Sequence, residues 1–102
     1  MDTDDVYRRA VLEALVALGG AASTEIARAR AGVILDPWLS AEDRVDIPSG
    51  GQRWRKRAEF SRLQLVKLGL MDGSRRGVWT ITPAGRDALT AGTYTGALAR
   101  RR

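Results

Sequence analysis

The chain has 102 residues, 44% of them hydrophobic, which is enough apolar material for one modest core and too little for a second. Cysteine and histidine are both absent, which excludes a disulfide framework and a zinc site and leaves only carboxylates to hold any metal. The net charge of +5 is uneven: residues 1–52 balance at −4 (5 basic, 9 acidic) and residues 53–102 at +9 (12 basic, 3 acidic), which sets the second half toward a polyanion such as nucleic acid.

The opening "MDTDDVYRRAVLEALVALGG" places acids before its apolar stretch and charges within it, which is not the pattern of a secretory leader. No apolar run approaches membrane-spanning length, so a cytoplasmic location with no membrane partner is expected. In the first helix Thr3 caps, Asp4 and Asp5 sit at the positive end, and Val6, Ala10, Val11, Ala14, Leu15 and Leu18 form one stripe that Gly19 and Gly20 stop. Ser23 caps a second helix, "TEIARARA", with Ile26 and Ala27 inward, Arg28 and Arg30 on the other side, and an end near Gly32.

Residues 32–51 show no sustained period and read as a long connection in which "SAEDR" forms one exposed turn. Val33, Ile34, Leu35, Trp38 and Leu39 are expected to fold back over the core. A turn at Pro48, Ser49 and Gly50 leads into the third helix, Gln52 to Leu68, a continuous segment free of glycine and proline. Trp54, Ala58, Leu65 and Leu68 share one side of it, Tyr7 and Phe60 are assigned to packing, and Gly69 ends it. "LMDGSRRGVWTIT" is a hairpin signature in which Trp79 and Ile81 face one way and Val78 and Thr80 the other. Thr82 then caps and Pro83 opens a last short helix, "PAGRDALTA". Residues 1–91 thus read as one domain and residues 92–102 as a basic tail or linker.

Three helices, an arginine-tipped hairpin and a terminal helix give a mainly α fold with a small β-hairpin wing, the order of a winged helix-turn-helix. Four pieces in that order, "Y..AVLEAL..LGG", "IPSG", "RAEFSRLQLVKLGLM" and "RGVWTITPAGRDAL", resemble the N-terminal winged-helix domain of Mrr-type restriction proteins from Tyr7 to about Leu89. Residues 29–46 depart from the pattern. The resemblance implies a DNA-binding module attached to a separate nuclease domain. Related winged helices read methylated bases, so the expected partner is double-stranded DNA, with N6-methyladenine or another modified base as its expected target.

Arg53, Arg55, Lys56, Arg57 and Arg62 lie on the helix that would enter the groove, where guanidinium forks grip phosphate oxygens or guanine. Ser49, Gly50, Gly51 and Gln52 stand at its N-terminus, where unpaired amides and the helix dipole favour an anion. Arg75 and Arg76 tip the wing. Each tryptophan has the apolar area of a core anchor, and for contact with a base the candidates are Trp79 beside the wing arginines and then Trp54, ahead of Trp38. No histidine, cysteine, phosphate-binding glycine loop or nuclease-type carboxylate cluster is present, so neither catalysis nor a cofactor is expected. Two other readings fit the same residues. One is a dimeric regulator in which Tyr94, Ala97 and Leu98 support self-association, against the monomer or weak dimer otherwise expected; the other is a protein-interaction module using the third helix.

Overall fold

The computed structural model describes residues 3–93. Helix α1 (Thr3–Ala17) begins with Asp4 and Asp5 in its first turn and buries the stripe from Val6 to Leu15. The chain then reverses through Gly19 and Gly20, both at positive φ, where the Gly20 amide donates to the Leu15 carbonyl at 2.7 Å. This turn delivers a short strand, β1 (Ala21–Ser23), that the sequence did not announce. Three small residues carry no alternation of polarity, and the partner of β1 lies more than fifty positions downstream.

Helix α2 (Thr24–Leu35) starts as expected, with the Ser23 hydroxyl accepting from the Ile26 amide, but runs through Gly32 instead of ending there. Gly32 serves packing: a Cβ at that position would stand 2.5 Å from the Cη2 of Trp54, so only glycine lets the indole lie against the helix. The inward residues are Ala27, Ala31 and Leu35, and Ile26 is exposed, contrary to expectation. Their spacing of four selects a face of mostly small side chains that brings α2 close to its neighbours.

The connection folds into two 3₁₀ turns, Asp36–Trp38 and Glu42–Arg44. The second is the exposed turn expected at "SAEDR", and it is closed by Ser40 and Asp43, each of whose side chains bonds the other's backbone amide. Leu35 is buried and Ile34 and Leu39 half-buried, but Val33 and Trp38 face solvent and do not cover the core. Trp38 instead lies beneath the Arg9 guanidinium, 5.5 Å from its ring centre. Gly50 and Gly51, both at positive φ, turn the chain into α3 while Ile47 donates to the Gly51 carbonyl and Arg53 to the Val45 carbonyl.

Helix α3 (Arg53–Lys67) packs Trp54, Ala58, Ser61 and Leu65 against α1 and α2. Phe60, assigned to packing from its type alone, is exposed, as is Leu63. Gly69 then adopts the left-handed conformation and leads into β2 (Met71–Asp72). β3 (Val78–Ile81) returns antiparallel to β2 and also pairs antiparallel with β1, so the sheet order is β1-β3-β2. Trp79 and Ile81 share one side, as the alternation predicted, and that side is the core. Helix α4 (Pro83–Ala91) is capped by Thr82, whose hydroxyl accepts from Gly85 and donates to the Gly69 carbonyl. A Cβ on Gly85 would meet the Leu70 carbonyl at 2.1 Å, so this glycine fixes how closely α4 approaches the start of β2.

The core has two centres. One, around Leu12, Leu15, Leu65 and Trp79, ties the wing to the helices, while the other, around Tyr7, Leu35 and Trp54, ties the connection and the start of α3 to α1. Helices α1 to α3 with a three-stranded antiparallel sheet form a winged-helix fold. The tail residues Tyr94, Ala97 and Leu98 lie outside the described residues.

Candidate nucleic-acid interface

Four residues of α3 are committed to the core, and the remainder divide into two flanks and an outer face because each residue advances by about 100° around the axis. Arg53 and Arg57 occupy the flank toward the N-terminal half of the chain. Arg53 donates to the Glu42 carboxylate at 2.9 Å, and Arg57 to the Asp4 carboxylate at 3.0 Å. Arg57 also lies over the ring of Tyr7, 5.3 Å from its centre. These two expected DNA contacts are therefore already engaged by acids.

The opposite flank carries Arg55, Glu59 and Arg62 and faces α2 and the wing. Arg28 of α2 pairs with Glu59 at 2.9 Å. Around this pair lies a polar cavity of about 300 Å³ lined by Arg28, Ser49, Gly50, Gly51, Arg55, Lys56 and Glu59. Arg55 and Lys56 make no ion pair among the described residues. Three cations against one carboxylate, beside a glycine turn at the start of a helix, make a concave surface suited to an oxyanion. The structure thus brings together Ser49, Gly50, Arg55 and Lys56 from the expected set. It adds Arg28 and Glu59, which local sequence could not pair because they are 31 positions apart.

Arg62 is drawn further back, its guanidinium 6.0 Å from the ring centre of Trp79, at the base of the wing. At the tip, Arg75 and Arg76 are exposed as expected. The tip is shaped by Asp72, whose carboxylate accepts from the Ser74 amide at 2.8 Å. Bonds from Ser74, and then the charge of Arg75, hold the Asp72 carboxyl below the usual carboxylate range. The Thr24 amide donates to the Gly77 carbonyl at 3.0 Å and so fastens the wing to the start of α2, one turn before Arg28.

The tryptophans are placed differently from the expectation. Trp79 is a core residue, 3% exposed, and Trp54 is 7% exposed with its indole N–H donating to the Gln52 side-chain oxygen at 2.9 Å. Neither ring offers an open face to a base. The Gln52 side chain, expected at the anion site, is held by that indole instead and makes no cap bond. Only an edge of Trp54 reaches a second concavity, about 450 Å³, between α2 and the connection, where Val33 and Leu39 meet Asp36, Arg44, Gln52 and Arg55.

No helix among the described residues is long and apolar enough to cross a membrane. A three-helix body, a β wing tied to α2 and an arginine-rich third helix define a winged-helix module. The family model of the Mrr N-terminal domain matches residues 5–91, and the chain belongs to that family, a domain of restriction systems. Comparisons with curated proteins and with solved structures gave no match.

Proposed function

We propose that this domain is the double-stranded DNA-binding module of a restriction protein, delivering an attached nuclease domain to its target and performing no catalysis itself. The observation that carries the reading is the polar cavity at the start of α3, where Arg55 and Lys56 stand beside Gly50 and Gly51 without an acid partner among the described residues. It lies on the flank of α3 that faces α2, to whose first residue the arginine-tipped wing is fastened. Phosphates bound there and at the wing would release condensed counterions. With about five phosphate contacts, the log of the binding constant should fall against the log of salt with a slope near −4 to −5. A flat salt response in a fluorescence-anisotropy titration of a 20-base-pair duplex would remove the electrostatic basis of the proposal.

The finer proposal is discrimination of N6-methyladenine or another modified base. Support comes from the second concavity, in which the Trp54 edge, Val33 and Leu39 meet the polar groups of Gln52, Asp36 and Arg44. Apolar walls with a few polar groups are what an extruded base requires. One duplex prepared with and without adenine methylation tests it, and equal affinity at physiological salt disposes of it for that base.

A further inference from the structure

The outer face of α3, between its two cationic flanks, carries two large apolar side chains. Phe60 is 58% exposed and Leu63 is 51% exposed. With Arg53, Lys56, Arg57 and Glu59, the last paired to Arg28, they wall an open hollow of about 550 Å³. Exposing two large apolar side chains on one helix calls for an explanation, because the opposite face of the same helix has a core to fill and this one has none.

The cross-section of the helix suggests what covers it. At about 100° per residue, Arg53 and Arg55 are set roughly 160° apart, so one flank carries Arg53 and Arg57 and the other Arg55 and Arg62, with Lys56, Phe60 and Leu63 between them. A major groove about 12 Å wide admits one helix, and offers it phosphates on both rims and base edges on the floor. Cations on two flanks and a different chemistry in the middle match that arrangement. The middle here presents the hydrocarbon of Phe60 and Leu63 beside Lys56, and the apolar group on the floor of the groove is the C5-methyl of thymine. A second copy of the same face would set cationic rims against each other, which disfavours self-association through it.

We propose that Phe60 and Leu63 read the C5-methyl group of thymine in the major groove. The inference rests on the DNA-binding reading above and deepens it. Phosphate contacts position the helix without sequence information, and these two side chains add preference for a base. Lys56 lines both the polar cavity and the apolar hollow, so one side chain joins the phosphate site to the base-reading strip.

The test begins by enriching a duplex from a randomised 20-base-pair library on the immobilised full chain. Each thymine of the enriched duplex is then replaced singly by deoxyuridine, which removes the methyl and leaves the pairing edge intact. Affinity should fall about three- to fivefold at one or two positions, the worth of one buried methyl. A Phe60→Gln, Leu63→Gln double variant, checked for unchanged thermal unfolding, should bind both duplexes alike with the salt slope of the parent. Equal binding of thymine and uracil at every position overturns the proposal, and so does discrimination that survives in the double variant. In a second arm cytosines are replaced by 5-methylcytosine, whose methyl occupies the same place. A gain there without any thymine response overturns the assignment to thymine and moves it to modified cytosine. Failure to retain any duplex at low salt would instead sink the DNA-binding reading itself, and this inference with it.

Discussion

Arg55 and Arg57 stand two positions apart on one helix in opposite electrostatic situations. Each lies over an aromatic ring, Arg57 over Tyr7 and Arg55 over Trp54, but Arg57 is tied to Asp4 whereas Arg55 pairs with no acid among the described residues and borders an open polar cavity. The same contrast separates Arg53, held by Glu42, from Lys56. The excess charge of the second half of the chain therefore overstates what is available to a partner, because acids of the first half fold onto part of it. Of the described arginines of α3, the two without an acid partner, Arg55 and Arg62, stand on the flank facing α2 and the wing, with Lys56 beside it on the outer face. Both engaged pairs are substantially exposed, and ion pairs of that kind contribute at most about 1 kcal/mol, so they are held loosely enough to be exchanged.

The largest expected effect comes from removing the unpaired cations at the polar cavity. An Arg55→Ala, Lys56→Ala double variant should lose at least about tenfold in duplex affinity near physiological salt, and its log–log salt slope should become shallower by about 2. Arg53→Ala with Arg57→Ala should lose only about threefold, because each wild-type guanidinium must leave a carboxylate before it meets a phosphate. Anisotropy titrations at four salt concentrations measure both numbers. Equal losses from the two pairs would erase the distinction between the flanks.

The converse experiment removes the internal competitors. Asp4→Asn with Glu42→Gln frees Arg57 and Arg53 and should raise duplex affinity by about two- to threefold while steepening the salt slope. Asp4 also lies in the first turn of α1, so thermal stability should fall slightly, by up to about 1 kcal/mol from the lost helix-dipole interaction. Unchanged affinity would show that the two arginines never meet the duplex, and would confine the interface to the flank facing the wing.

Much of the fold was legible because its signals are local. The apolar stripe of α1, the glycine-free run of α3, the alternation in β3 and the Thr82-Pro83 start of α4 each declare themselves within one or two turns, and the structure places them within a residue or two. What escaped depends on partners distant in sequence. Gly32 looks like a helix end until Trp54, 22 positions later, is seen to need its missing side chain. β1 is a strand only because β3 pairs with it. Phe60 and Trp38 are large and apolar, yet sequence cannot say which of several apolar sides of a helix or connection meets a neighbour, and the space was taken by Trp54 and Leu35. The candidate site divides in the same way. Sequence located the cations, but their pairing spans 53 positions for Arg57 and 11 for Arg53, so only the folded chain sorts engaged from available.

The smallest effect sharpens the comparison from the engaged side. Beneath Arg57 the Tyr7 hydroxyl is buried with no hydrogen-bond partner among the described residues. Burial pushes its pKa up to about 12, Asp43 adds to the rise, and Arg57 opposes it. Because the folded value lies above the unfolded value of about 10, this group's contribution to stability is complete below pH 10 and is lost as pH rises toward 12. Tyr7→Phe keeps the ring under Arg57 and deletes the hydroxyl, so at pH 7 it should leave stability within about 1 kcal/mol of the parent. Between pH 10 and 12 the parent's melting temperature should fall more steeply than the variant's. Parallel curves in that window would mean that the phenol reaches water, and that Arg57 covers the ring less tightly than its contacts with Tyr7 and Asp4 require.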